Sequence, residues 1–298
     1  MKDPDKEMKR LPPWAKKRLG PASALHEMKT ILRSRNLHTV CESARCPNIG
    51  ECFSKPTATF MILGDVCTRQ CAFCSIDKGA NPLLVDPHEP ENIAITSKEL
   101  GLRHVVLTSV TRDDLPDGGA GQFALTIKAI KDSISGISVE VLTPDFEGSA
   151  EALSVVLEAR PDIFNHNLET VPSLYPVVRP QADYQRSLDV LRAAKKSGVM
   201  TKSGIMVGLG ETIDEVKAVL KDLYEAGCDA VTIGQYLRPT RTNLEVREYV
   251  TPEVFKEYEI YGLSIGLKNV YSGPFVRSSY NAERLMEGSS LKTAEKSR

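Results

Sequence analysis

Three cysteines fall within eight residues in Cys67-Thr68-Arg69-Gln70-Cys71-Ala72-Phe73-Cys74, just after the apolar run Ala58 to Leu63. Thiolates spaced x3 then x2 can converge from a single loop on one small soft-metal centre. They cannot close it, because iron–sulfur cubes and structural zinc sites each take four ligands. Either a fourth ligand arrives from elsewhere, or one iron is left open to a small molecule. A zinc loop or a set of buried thiols is the plainer alternative. Upstream, Cys41, Cys46 and Cys52 form a second triplet at x4 then x5 spacing. Asn48 and Gly50 within it favour turns, so a winding loop could aim its sulfurs inward. These thiols could help to close the first site. Six cysteines in two tight groups are too many for one cube, and two clusters is the economical account.

That cysteine usage also sets the compartment. Seven is an odd count, and six lie between Cys41 and Cys74, unlike the spread of a secreted disulfide scaffold. A reducing, cytoplasmic setting with metal-bound thiolates fits better. The net charge of -1 argues against a bulk nucleic-acid binder, and no apolar run approaches a membrane span. At 298 residues the chain can bury a core as one α/β barrel or as two smaller units. Residues 1–20 are an exception to the charge balance, with seven Lys/Arg against Asp3, Asp5 and Glu7. They read as an extended arm, either a solvated tail or a docking surface for an acidic partner.

Beyond Phe60, strand-like and helix-like stretches alternate. Strands are expected at 57–63, 104–110, 138–142, 162–165, 200–207, 230–236 and 270–276, all short and rich in β-branched residues. A helix over 23–35 would turn Leu25, Met28 and Leu32 to one side. Asp183 caps a helix that carries Leu188, Leu191 and Ala194 inward and ends at Gly198. Thr212-Ile213-Asp214-Glu215 is a capping box leading into Val216, Val219, Leu220 and Leu223, with Gly227 as its stop. Alternation of this kind implies a parallel sheet with right-handed crossovers. About six repeats are too few for a closed eight-stranded barrel, so the expected fold is α/β, a partial (β/α)6 barrel. Its domains are an arm and cysteine-bearing extension over 1–56, the barrel over 57–268 and a C-terminal extension over 269–298.

Ligands of parallel α/β folds sit at the carboxyl ends of strands, and several polar groups fall there. Thr108, Ser109, Arg112, Asp113 and Asp114 follow one strand and lead to Asp117-Gly118-Gly119-Ala120, equally readable as a tight polar loop. Asn167 and Glu169, two apart, point the same way and suit a ribose diol or an ammonium. His166, just before them, reads as a packed, hydrogen-bonded histidine. Gly204-Ile205-Met206-Val207-Gly208-Leu209-Gly210-Glu211 does not fit a dinucleotide or phosphate-loop pattern. Cys228 reads as a small buried hydrophobe. Arg277-Ser278-Ser279-Tyr280 is, on composition, a polar surface turn.

The C-x3-C-x-aromatic-C segment resembles that of the radical S-adenosylmethionine (SAM) enzymes. Together with C-x4-C-x5-C and the Arg-Ser-Ser-Tyr run it resembles the lipoyl synthases. The resemblance implies two [4Fe-4S] clusters, one on Cys67, Cys71 and Cys74 with SAM chelated at its open iron. The other would lie on Cys41, Cys46, Cys52 and one serine, Ser279 or, second, Ser278. A similar stretch in biotin synthases implies that Asn167 and Glu169 contact SAM, with Arg179 reaching its carboxylate. Phe73 and the segment around Met206 would border the adenine, and Thr108 completes the expected cofactor-binding set. The implied reaction takes hydrogen from C6 and C8 of an octanoyl chain on a carrier lysine and inserts two sulfurs drawn from the second cluster. Two SAM would be consumed per lipoyl group. Implied partners are octanoylated carrier domains (2-oxoacid dehydrogenase E2 or glycine cleavage H protein), an electron donor such as ferredoxin or flavodoxin, and cluster-assembly proteins. No nucleic acid or membrane is expected. Another radical SAM sulfur inserter would share the first triplet but has no reason for the second. A non-enzymatic iron–sulfur or zinc protein would not need the polar strand ends.

Overall fold

Seven parallel strands lie side by side in an open curved sheet, with one short antiparallel strand at its edge. The computed structural model describes residues 11–17, 22–54 and 59–279. Within them the chain first forms α1 (Ala22–Ser34), β1 (His38–Thr39), α2 (Val40–Ser43) and α3 (Ile49–Ser54). Met28 and Leu32 of α1 are buried and Leu25 packs against them, the face expected from their spacing. The sheet starts with β2 (Thr59–Ile62). Two short strands, β3 (Val66–Cys67) and β4 (Asp77–Lys78), pair in parallel and bracket the three-cysteine loop. Then come α4 (Glu89–Glu99), β5 (His104–Ser109), α5 (Ala120–Ser133), β6 (Ser138–Leu142), α6 (Ala150–Glu158) and β7 (Ile163–Asn165). The second half runs α7 (Tyr175–Val178), α8 (Tyr184–Lys196), β8 (Met200–Val207), α9 (Ile213–Glu225), β9 (Ala230–Gln235), α10 (Pro252–Ser264) and β10 (Asn269–Gly273).

The sheet order is β1-β2-β5-β6-β7-β8-β9-β10, and among the described residues its two edges do not pair. This is the partial barrel expected from the alternation: six strand-to-helix passages, completed by β10 in parallel register with β9. The expected strand over 57–63 is described from Thr59; residues 57 and 58 lie outside the described residues, as do residues 1–10 and 18–20 of the basic arm. Strand residues are buried on both faces (all six of β9, for instance), because helices cover the outside and side chains fill the inside.

The helix signals act as the residues dictate. Asp183 accepts from Arg186 N at 2.7 Å at the start of α8. Thr212 Oγ1 accepts from Glu215 N (3.2 Å) and Glu215 Oε2 from Thr212 N (2.8 Å), a reciprocal capping box for α9. Val216, Val219, Leu220 and Leu223 are fully buried in the half of the core formed with β8 and β9. The chain leaves α9 through Gly227, whose φ of +81° a side chain would resist.

Low inside the barrel a buried ionic group ties three strands together. Lys202 Nζ donates to Glu140 Oε1 and Oε2 at 3.0 and 3.1 Å, and Asn165 Nδ2 donates to Oε1 at 3.0 Å. Burial alone raises the Glu140 carboxyl, but Lys202 first and His104 next bring it below its usual range. We predict that Lys202→Ala, which strands that carboxylate, costs about 3–5 kcal/mol of stability in denaturant melts, whereas Lys202→Met with Glu140→Gln costs much less. Equal losses would show that packing, not charge, is at work.

Candidate functional site

At the carboxyl ends of the strands lies a cavity of about 350 Å³ that all three parts of the chain help to line. Cys41, Arg45 and Cys46 come from the α2–α3 segment, Phe73 and Cys74 from the three-cysteine loop. Asn167, Glu169 and Met206 come from strand ends, and Ser278 and Ser279 from the segment after β10. Tyr280, the last residue of the Arg-Ser-Ser-Tyr run, lies outside the described residues.

The cysteine loop is pinned from every side. Arg69, between Cys67 and Cys71, is buried and grips Asp113 with Nε (2.7 Å) and Nη2 (2.9 Å). The same Nη2 reaches Asp145 Oδ1 at 2.7 Å, and Arg186 Nε takes the other Asp145 oxygen at 2.7 Å. Asn243 Nδ2 donates to the Ala72 and Cys74 carbonyls (3.1 and 2.9 Å), and Lys78 Nζ donates to the Cys71 carbonyl (2.9 Å). Ser75 Oγ donates to the Ser43 carbonyl at 2.8 Å, which couples this loop to the upstream cysteine segment. Of these residues only Asp113 was marked by the sequence, as a polar strand end. An arginine enclosed by two cysteines, which would otherwise be a charge beside a metal centre, was the available signal for the rest.

Asp145 has an acid signature. Burial raises its carboxyl, but the bond and charge of Arg69, followed by His166 and Arg186, hold it at about 2. Unfolded aspartate titrates near 3.9, so this contribution to stability is complete above about pH 4 and is lost as pH falls towards 2. We predict that Asp145→Asn lowers stability at neutral pH and flattens its decline between about pH 4 and 2, read from melting temperatures across that range. An acid limb identical to wild type would remove Asp145 from it.

The strand-end residues meet as their spacing implied. Asn167 Nδ2 donates to Glu169 Oε1 (3.0 Å) and to Ser278 Oγ (2.8 Å), and that hydroxyl donates back to Asn167 Oδ1 (3.1 Å). Glu169 has a φ of +67°, a strained setting for a side chain, held by parallel bridging to Ile205. Burial raises its carboxyl, against the pull of Arg179, Asn167 and Arg277. Gly204 leaves the floor low: a Cβ there would stand 2.6 Å from Thr232 Oγ1, 2.9 Å from Asn167 Oδ1 and 3.1 Å from Ser278 Oγ.

Two expected contacts stand back from the wall. Thr108 is buried outside the cavity lining, and its hydroxyl donates to the Leu142 carbonyl at 3.0 Å. Arg179 lies beneath the strand ends, where Nη1 donates to the Asn167 and Leu168 carbonyls (3.0 and 3.1 Å). It acts on Cys71 and Glu169 by charge. His166 is buried with Nδ1 2.9 Å from the Thr143 carbonyl, and burial, helped by the Arg179 charge, lowers it to about 4. It is a neutral packed histidine. Cys228 is buried against the Ala230 carbonyl at 3.2 Å, a core thiol away from the cavity.

The donor set suits a soft iron–sulfur centre. Cys41, Cys46 and Cys74 line the cavity. Burial pushes Cys41 and Cys74 up to about 12 and raises Cys71. Such sulfurs surrender their protons only to cations brought among them. Among the described residues no three His, Cys, Asp or Glu side chains converge as a single ion demands. A cube asks for something else, sulfurs spread to separate corners.

The family model described as the radical SAM superfamily matches residues 61–223, and that of the N-terminal domain of lipoyl synthase matches residues 1–46. A lipoyl synthase of Caldanaerobacter subterraneus subsp. tengcongensis is 56% identical over 276 residues, which is 92% of this chain and 96% of the relative. A lipoyl synthase of Rubrobacter xylanophilus is 55% identical, covering 93% of this chain and 86% of the relative. Among solved structures, Streptococcus suis SuiB bound to S-adenosylmethionine has a TM-score of 0.58 at 12% identity, over 83% of this chain and 60% of that one. Methylornithine synthase has a TM-score of 0.53 at 16% identity, over 74% of each chain. Likeness at such identities concerns the fold alone.

Proposed function

This chain belongs to the lipoyl synthase family, and from that premise we propose a division of labour between its two cysteine groups. As a radical SAM enzyme it works with a [4Fe-4S] cluster and SAM, and it forms lipoyl groups on carrier proteins. In our reading Cys67, Cys71 and Cys74 hold that cluster, and Cys41, Cys46, Cys52 and Ser279 hold a second. When bound, the first cluster and SAM supply the chemistry that takes hydrogen from unactivated carbon, twice per lipoyl group, and the second supplies sulfide.

The protein's own part is aim and exclusion. Asn167 and Glu169 present an amide and a carboxylate to the polar groups of SAM, and the missing side chain of Gly204 makes room for Asn167 and Ser278 to sit against the strand. Phe73 and Met206 close the adenine side. Arg179, from beneath, fixes the Asn167 and Leu168 carbonyls and lends positive charge to Cys71 and Glu169. Leu142, Ile205 and Tyr236 give the cavity an apolar wall that suits an octanoyl chain and keeps water from reactive carbon. Its carriers are octanoylated domains of the 2-oxoacid dehydrogenase E2 or glycine cleavage H protein kind, with the basic arm over 1–20 meeting their acidic surfaces. An electron donor such as a ferredoxin or flavodoxin and cluster-assembly proteins complete the set of partners.

One observation carries this reading. Cys41 and Cys46, Cys74, and Ser278 and Ser279 line the same cavity although they come from three separate regions of the chain. Its test is mass spectrometry of an octanoyl-lysine peptide after anaerobic incubation with reconstituted enzyme, SAM and reductant. A gain of two sulfurs is expected, with about eight irons bound per chain. Four irons per chain, or an unmodified peptide, would end it.

A further inference from the structure

Asn48 stands between Cys46 and Cys52, yet its side chain serves neither the turn nor the helix that follows. Its carbonyl receives the first-turn amides of α3, from Glu51 (3.0 Å) and Cys52 (2.9 Å). An asparagine there commonly caps the helix with its own side chain. Here the side chain is buried and turned away: Oδ1 accepts from Lys17 Nζ at 2.6 Å, and Nδ2 donates to the Phe275 carbonyl at 2.8 Å, 227 residues along the chain. Lys17 also pairs with Glu51 (2.7 Å) and sits 5.3 Å above the Phe275 ring. One side chain thus joins the N-terminal arm, the upstream cysteine segment and the stretch after β10. Only three residues separate Phe275 from Ser279, too short a run for the serine to settle independently.

We propose that Asn48, braced by Lys17, is a positioning residue that sets the Ser278-Ser279 segment in register with Cys41, Cys46 and Cys52. It touches neither SAM nor substrate and acts through Ser279. The inference rests on the reading that Ser279 completes the second cluster site. It assigns to the asparagine of the upstream triplet the task of bringing in the fourth ligand from across the molecule.

The test uses the full chain in four forms: wild type, Asn48→Asp, Ser279→Ala and the double variant. Aspartate keeps an acceptor for Lys17 but cannot donate to Phe275. In protein without clusters, amide exchange across 275–279 should speed up by about tenfold or more in Asn48→Asp, with exchange in β8 and β9 unchanged, as expected for local release. After reconstitution, Asn48→Asp should alter the Mössbauer signature of one cluster and lower lipoyl yield by roughly tenfold. The double variant should be no worse than Ser279→Ala alone, because both act on one contact. Lys17→Met should shift exchange in the same direction by less. Additive losses in the double variant, or wild-type exchange across 275–279 in Asn48→Asp, would overturn the proposal and leave the ligand reading intact. Full lipoyl yield from Ser279→Ala would instead remove the ligand reading on which it rests.

Discussion

Cys71→Ala is expected to abolish reductive SAM cleavage, and with it all lipoyl formation, in a protein that remains folded. Alanine keeps the backbone carbonyl that Lys78 grips, and the Arg69 and Asn243 clamps on either side of it are untouched. Only a sulfur leaves. A cube left with two thiolates of three has no stable seat, so iron should fall from about eight to about four per chain while the upstream triplet keeps its share. The loss of cleavage should exceed about a thousandfold, because no side chain can substitute for electron delivery by a cofactor. Anaerobic assays of methionine release, read beside circular dichroism, would check this. Retained cleavage would mean that this triplet does not hold the cluster used by the enzyme.

Ser279→Ala should separate the two activities. In the proposed reading Ser279 gives the second cluster a hard oxygen ligand, a poor match for a thiophilic iron cube that would suit a cluster meant to come apart. Removal of that oxygen leaves Asn167 with Glu169 and Ser278, so the SAM side of the cavity keeps its bonds. SAM cleavage is then expected to stay within about twofold of wild type while lipoyl yield falls by at least tenfold, a loss of roughly 1.4 kcal/mol or more in the productive step. Ser278→Ala should act at the other end, loosening Asn167 and weakening SAM binding. If Ser278→Ala alone lost lipoyl formation and Ser279→Ala kept it, the two serines would exchange roles.

Local physics made much of this protein legible in its sequence. The α9 capping box, the Asp183 cap and the strands Ser138–Leu142 and Met200–Val207 depend on neighbours within a turn or on alternation along one strand. Cysteine spacing named the soft donors for the same reason. Spacing put Asn167 beside Glu169, although both lie past the end of β7 and Glu169 is left-handed, so strand parity alone does not account for it. Parity does not reveal that a neighbouring strand's carbonyl has claimed the Thr108 hydroxyl. Arg179 was marked only by the resemblance, as a residue reaching SAM and not as one lodged beneath the strand ends, because its place is set by the turn of α7 and by carbonyls that the fold delivers. The Arg69, Asp145 and Arg186 group and the Asn48 bond to Phe275 join residues that only the folded sheet brings together. No window of sequence contains them.

The two cysteine triplets differ in how far along the chain their bonded neighbours lie. The loop from Cys67 to Cys74 closes within eight residues, whereas Cys41 to Cys52 must wait for a stretch more than two hundred residues downstream. Loop-closure entropy therefore delays the second until the sheet has already assembled. The segment that carries Ser278 and Ser279 follows β10, the edge strand that pairs with β9 alone among the described strands. On the proposed reading, the fourth ligand of the second cluster is therefore held at the rim of the sheet, apart from the bonds that keep its inner strands together.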